Sequence, residues 1–399
     1  MGIEATGPWH RGEREMQERL GVAGRMQSVG SRVIRDYMPD EHRAFYAQVP
    51  FLVLAAVDAA GDPWVTLLEG EPPIARSPDP KHLEIDALPA IGDPVRNGLQ
   101  LGDSIGLLGI ELPTRRRNRV NGKIVHRGAN QLGLAVEHSF GNCPQYIQTR
   151  HASSSEESMA AGAGAEPLYG SVEILSGLDD EARATIVAAD TFFVASYVDV
   201  NGSKETRQVD ASHRGGKQGF VRVDQNVLTI PDFAGNLFFN TLGNLYSNPR
   251  AGLVFVDFAS GDLLQLTGRT ELVLDGDEVT CFQGAERLWR LQVTRLVRRR
   301  AVLKRRWALD NFSPNSLMTG SWQEALARQK AMALRNDWRP FRVMRIVDES
   351  TTIKSIYLEP ADSAGLPVFK AGQHLPIRLV TTAGSAPVIR TYTLSLAPS

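Results

Sequence analysis

The chain repeats itself. FLVLAAVDAAG at Phe51–Gly61 aligns without gaps on FFVASYVDVNG at Phe192–Gly202. LEIDA from Leu83 answers LTIPD from Leu228, and GLLGIELPTRRRNRVNG (Gly106–Gly122) answers GLVFVDFASGDLLQLTG (Gly252–Gly268). The last block recurs at a constant offset of 146 residues. That is far beyond the roughly 20–50 residues of a solenoid repeat, so it reads as a duplicated domain. Each block is a short apolar run bounded by Gly, Asp or Pro. Such texture predicts β-barrels or sandwiches rather than a βαβ array, a mainly β (α+β) chain.

The 399 residues allow two or three cores. A formal net charge of -1 gives no global electrostatic case for nucleic acid or membrane binding. No apolar run approaches the ~18 residues of a membrane span, and the N-terminus has no apolar signal core. The two cysteines, Cys143 and Cys281, fit a reducing cytoplasm and are too few for a four-cysteine iron–sulfur cluster. Neither has a CxxC partner, and no zinc spacing occurs. Cys143 is expected in packing rather than as a nucleophile.

The expected order is a helical or irregular segment over 1–40, a first repeat over 41–152 and a flexible linker over 153–170. A second repeat follows over 171–290, then a basic connector and helix over 291–338 and a β-rich segment over 339–399. The linker rests on SSSEESMAAGAGAEP, whose small and polar residues bury little. Asp179 or Asp180 is the expected N-cap opening the second unit. RLWRLQVTRLVRRRAVLKRRW, after Gly284, reads either as a solvated charged face or as a docking surface for an acidic electron-transfer partner. SWQEALARQKAMALR predicts an amphipathic helix with Trp322, Leu326, Met332 and Leu334 among its apolar positions.

The second repeat carries VDASHRGGKQGFVRV (Val209–Val223) and LTIPDFAGNLFFNTLGNLYSNPRAGLVF (Leu228–Phe255). Ser212, His213, Arg214, Gly215 and Gly216 offer a hydroxyl, an imidazole, a guanidinium and two glycines that let backbone approach a ligand. Turn geometry explains the same glycines. Asn240, Thr241 and Asn244 suit either binding or helix capping. Over Phe45–Trp322 the chain resembles the pyridoxamine 5′-phosphate oxidase-like FMN-binding split-barrel family. That family has a strand, a polar phosphate-contacting turn, a short helix ending in Asn-Pro and an apolar strand. Here the turn is Asn240, Thr241, Gly243 and Asn244, and the helix ends at Asn248-Pro249. The resemblance implies two tandem split β-barrels and FMN as cofactor.

On a strand through Thr114–Arg119, Arg115, Arg117 and Arg119 share one face and Arg116 the other. Three arginines on one face repel unless an anion or acidic partner sits there. A surface ion-pair strand is the plain alternative. The repeat pairs Arg119 with Gln265, and in the oxidase family this strand carries Arg and Gln near the flavin. Arg117, Arg119 and Gln265 thus become candidate flavin contacts, and His213 a candidate neighbour of flavin or substrate. Opposite SHRGG the first repeat has Glu69 and Glu71, which repel a phosphate. One site of a two-barrel pseudo-dimer is expected to be kept and the other lost.

Arg390-Thr391-Tyr392-Thr393 looks like the R-x-Y-[ST] motif of ferredoxin-reductase-type FAD domains. The resemblance implies FAD contacts for Arg390, Tyr392 and Thr393 in a complete protein, of which 339–399 would be the truncated start of a β-barrel. No GxGxxG loop is present. The expected function is an FMN-dependent oxidoreductase module receiving electrons from NAD(P)H through FAD. A non-catalytic flavin, haem or deazaflavin carrier and a flavin-less docking scaffold are the alternatives. A small-molecule substrate or electron acceptor is expected. A homodimer and a ferredoxin-type redox partner stay open, and nucleic acid and membrane are not expected.

Overall fold

The computed structural model describes residues 7–152, 170–362, 364–367, 369–379 and 386–394. The expected linker at 153–170 lies outside them except for Gly170.

Two sheets repeat one topology. The first holds β1 (Phe51–Val57), β2 (Pro63–Glu69), β3 (Ala75–Arg76), β4 (His82–Ile85), β5 (Ser104–Glu111), β6 (Arg116–Arg127) and β7 (Leu132–Asn142). Its order is β2-β1-β5-β6-β7-β4-β3. After β8 (Thr149–Ala152) and β9 (Val172–Leu175), the second holds β10 (Thr191–Asp199), β11 (Arg207–Gly215), β12 (Arg222–Asp224), β13 (Val227–Phe233), β14 (Arg250–Val256), β15 (Leu263–Val273) and β16 (Ala285–Arg299). Its order, β11-β10-β14-β15-β16-β13-β12, is the same path. Both sheets are antiparallel throughout, and the fold is mainly β with two tandem split barrels.

The register corrects the repeat alignment at its first block. Leu52 faces Gly109, and Phe192 faces Phe255, the counterpart of Gly109. Leu52 therefore matches Phe192, one residue off the gapless alignment. The cause lies in the hairpins. Similar Val-Asp turns follow strands of different length, so matching the turns slips the strands. A one-residue slip exchanges the faces. Leu52, Leu54 and Ala56 fill the first barrel. Val53 and Ala55 meet Phe193 and Ala195 in a second core shared by the two barrels. Phe192 turns inward and stacks on Phe220 and Phe255 at 5.7 and 5.0 Å.

The blocks ending in Gly122 and Gly268 match without a slip. Each glycine sits at a β-bulge. A Cβ there would meet Ala135 O at 1.9 Å or Gln292 O at 2.1 Å, so both bulges require glycine.

Helix α1 (Arg11–Arg19) precedes α2 (Ala23–Val33) and α3 (Asp40–Tyr46). Helix α4 (Asp180–Ala188) is capped by Asp179, which accepts from Ala182 N at 2.8 Å. Helix α5 (Asn240–Ser247) follows β13 and packs on α1 so closely that a Cβ on Gly12 would lie 2.0 Å from Gly243 O.

The basic stretch is not a connector. Residues 285–299 form a strand between β15 and β13, so the second sheet runs past residue 290. Its arginines are neutralised within the chain: Arg290 by Glu271 and Glu278, Arg295 by Asp58 and Asp62, Arg298 by Glu173 and Asp179. Arg300 joins Glu173, Glu181 and Asp262. Four of the cations on which the docking-surface reading rests are thus paired within the chain, whereas Lys304 and Arg306 meet no carboxylate among the described residues.

Contacts divide the chain into one unit over 1–279 and 283–321 and another over 280–282 and 322–399. The second unit contains the helix Trp322–Ala333 and two antiparallel hairpins, Phe341–Asp348 with Lys354–Pro360 and His374–Leu379 with Val388–Thr393. Trp322 is buried edge-on to Phe282, whereas Leu326 is exposed. No described helix is long and apolar enough to cross a membrane.

Candidate functional site

A half-open cleft with a cavity of about 110 Å³ lies where β6 of the first barrel meets β11, β13 and α5 of the second. Both barrels belong to one unit. Arg117 and Arg119 line it from one side, and His213, Arg214, Gly215, Asp232, Asn240, Thr241 and Arg287 from the other. Strand alternation puts Arg117 and Arg119 on one face. Arg115 departs from the expected face, because it occupies a left-handed turn (φ 58°) before the strand and donates to Ile147 O.

Arg119 clamps the barrels together. Its Nη1 donates to both Asp210 oxygens at 3.0 Å and to Asn240 Oδ1 at 3.1 Å, and its Nη2 to Ser212 Oγ at 2.8 Å. Ser212 Oγ in turn lies 2.7 Å from Thr241 Oγ1. Arg214 and Arg287 share Asp232 at 2.6 and 3.1 Å. Arg117 differs. Its Nε donates to Cys143 O at 2.9 Å, yet among the described residues no carboxylate pairs with it. Burial and the like charges of Arg119 and Arg214 pull its guanidinium down to about 10. A cation held so has room for an anion.

His213 completes the arrangement. Arg117 Nη1 lies 3.0 Å from His213 Nδ1. A guanidinium can only donate, so Nδ1 accepts and the ring carries its proton on Nε2. Burial, then the charges of Arg117, Arg150, Arg214 and Arg119, hold the imidazole well below its usual range, and it is neutral. Among the described residues its Nε2 is buried without a partner, as are Arg119 Nε and Arg214 Nε. Buried donors left unpaired cost about 1–3 kcal/mol each and mark a place for acceptors.

The backbone is strained at the same place. Tyr146, Leu237 and Phe239 line the cleft with φ of 63°, 64° and 62°. Such non-glycine residues cost on the order of 1–3 kcal/mol and cluster at ligand sites. The Tyr146 and Phe233 rings stack 5.2 Å apart, giving the cleft a flat apolar wall.

Two expected contacts lie elsewhere. Asn244 turns away from the cleft and donates to Ser196 Oγ at 3.0 Å. Gln265 is fully buried at the pseudo-symmetric position, where β15 meets β2. There it donates to Val65 O at 3.0 Å and Asp93 Oδ1 at 3.1 Å. The Asp93 carboxylate also takes Thr66 Oγ1 at 2.6 Å and Arg299 Nη1 at 2.5 Å. The pairing registers match Leu67 and Leu68 with His213 and Arg214, and Leu263 with Arg117. This second position is filled by its own side chains: leucines stand where the cleft has Arg117, His213 and Arg214, and its arginine, Arg299, is paired with Asp93.

Asp210, Asp232, Arg287, Tyr146 and Glu13 escaped the sequence reading. Asp210 carried a signal, since it lies two residues before Ser212 and so on the same face of β11.

In the second unit, Arg390, Tyr392 and Thr393 lie on the exposed strand Val388–Thr393. Arg390 and Tyr392 share a face by alternation. Thr393 Oγ1 is 3.3 Å from His374 Nδ1.

No family model matches the chain. Flavohemoproteins of Chromobacterium violaceum and Deinococcus radiodurans are each 44% identical to it, over 62 and 63 residues, 16% of this chain in each case. The matched stretch spans 15% and 16% of those relatives. Among solved structures, a pyridoxamine 5′-phosphate oxidase candidate from Lactobacillus delbrueckii is 19% identical, covering 27% of this chain and 95% of that one, with a TM-score of 0.22. HupZ of Group A Streptococcus is 14% identical over 30% of this chain and 91% of its own, with a TM-score of 0.23.

Proposed function

We propose that the chain is a flavin-dependent oxidoreductase module that holds one FMN in the cleft between its two barrels. The observation that carries this reading is the pair Arg117 and His213. An uncompensated guanidinium calls for an anion, and a neutral imidazole with an unpaired Nε2–H calls for an acceptor. FMN offers both, as a phosphate and as ring carbonyl and nitrogen atoms. The enclosed 110 Å³ is less than the ~300–1,000 Å³ of a typical cofactor site, so the cleft encloses one end of the ligand.

Arg117 anchors the anionic end, with Arg214 and Arg119 lending positive potential. His213 donates through Nε2, and Tyr146 with Phe233 supplies the flat wall. Hydride and electron transfer belong to the flavin, and the protein binds, orients and shields it. The tautomer fixed by Arg117 leaves no lone pair on Nε2, which disfavours His213 as a haem ligand. The R-x-Y-T strand and the flavohemoprotein relatives support electron supply from NAD(P)H through an FAD domain in a longer protein.

The test is the visible spectrum of the purified chain, followed by titration with FMN. Oxidised-flavin bands and saturation at one FMN per chain are expected. A colourless protein that does not bind added FMN would end this reading.

A further inference from the structure

Helix α1 reaches the cleft from behind. Glu13, in its first turn, is buried. Its Oε1 accepts from Asn240 Nδ2 at 2.6 Å, and its Oε2 from His10 N at 3.0 Å. Asn240 lines the cleft and spends its own oxygen on Arg119. Glu13, Asn240, Arg119 and Asp210 thus form one chain of contacts from the N-terminal helix to the inter-barrel clamp. The helix has little slack, because a Cβ on Gly243 would lie 2.6 Å from Glu13 N.

We propose that Glu13 is a positioning residue for the cleft, and that loss of its proton undocks α1, frees Asn240 and weakens the grip on an anionic ligand. The second half rests on the cleft being the ligand site, and the first does not.

Burial, with the Asp210 charge adding to it, pushes the Glu13 carboxyl up to about 8, against the Asn240 and His10 hydrogen bonds and the Arg119 charge. The groups around it offer an ionised carboxylate little: His10 Nε2 lies 3.6 Å from Glu13 Oε2, beyond hydrogen-bond reach. On α1 itself, His10 is neutral, pushed down to about 4 chiefly by burial, and Arg14 bears on His10 rather than on the carboxyl. On β7, His138 is also lowered by burial. On β11, Asp210 is already an anion paired with Arg119 from β6. On α5, Asn240 and Asn244 are neutral. An ionised Glu13 would share a single guanidinium with Asp210. Drawing Arg119 off Asp210 would only leave that buried carboxylate unpaired instead, so α1 leaves and Asn240 is freed.

The experiment uses the full chain without ligand. Hydrogen exchange of the segment 11–33 is followed at about pH 6.5 and about pH 9.5, corrected for intrinsic exchange, in wild type and Glu13→Gln. Wild type should lose about tenfold or more of its protection on raising the pH, and Glu13→Gln should not. Equal protection of the wild type at both pH values, or the same loss in Glu13→Gln, overturns the proposal. Infrared spectroscopy of the wild type gives a second reading should the variant misfold. The carbonyl stretch of a buried carboxylic acid should be present near neutral pH and vanish at alkaline pH, and its absence at both sinks the idea. The FMN dissociation constant should rise with pH in wild type only. If FMN binds at neither pH, the flavin reading fails while the exchange result still decides the role of Glu13.

Discussion

Replacing Arg117 by methionine should cost affinity and leave stability nearly unchanged. The drop of its guanidinium from its ordinary value to about 10, roughly 2–3 pKa units, reflects the cost of keeping a cation there without a carboxylate. At ~1.4 kcal/mol per unit this is about 3 kcal/mol, and partial exposure reduces it to about 1–2 kcal/mol. Methionine removes that cost and gives up the hydrogen bonds to Cys143 O and His213 Nδ1, about 1 kcal/mol each. The ligand-free protein should therefore stay within about 1 kcal/mol of wild type, a shift of at most a few degrees in Tm. A charge-assisted hydrogen bond to the ligand's anion is worth about 1.5–3 kcal/mol, so affinity for FMN should fall about 10- to 150-fold. Thermal melts of the ligand-free proteins and fluorescence titrations with FMN and riboflavin give both quantities. Riboflavin lacks the phosphate, and its affinity should change little. Equal losses for FMN and riboflavin, or a Tm several degrees below wild type, would refute the anion-anchor argument.

Arg299→Met strands the Asp93 carboxylate in the closed pseudo-site and should cost about 3–5 kcal/mol in urea unfolding, with FMN stoichiometry still one per chain. Gly268→Ala forces a methyl to within 2.1 Å of Gln292 O and should destabilise the second barrel by ~1–3 kcal/mol, read from the same denaturation curves. The raised Glu13 carboxyl favours the folded state fully below about pH 4.5, and this contribution fades between about 4.5 and 8 as the unfolded chain ionises first. Glu13→Gln should flatten that slope, on the order of 3–5 kcal/mol, and identical slopes in both proteins would show that Glu13 does not titrate this way.

The duplication was legible because it lives in strand composition, and strands report their own existence through short apolar runs. Register was less so. The Val-Asp turns at Val57-Asp58 and Val198-Asp199 look equivalent, yet their hairpins differ in length, and the slip hid which phenylalanine of the Phe192-Phe193 pair faces the other barrel. The bulge glycines Gly122 and Gly268 kept their register because a side chain is excluded at both.

The cleft divides along the same line. Ser212, His213 and Arg214 could be read from one strand, since neighbours in sequence stay neighbours in space. The charge balance could not. Arg117 and Arg299 both stand in arginine-rich runs and look alike in the sequence. In the fold, Arg299 finds Asp93 across the barrel interface, whereas Arg117 finds a carbonyl and an imidazole. Duplication supplied two pseudo-equivalent positions. A single carboxylate, Asp93, closes one of them. Leu263 opposite Arg117 and Leu67 opposite His213 remove its chemistry as well. What makes the other position a candidate site is an ion pair missing among the described residues, and that shows only in the fold, where Arg117 meets a carbonyl and an imidazole in place of a carboxylate.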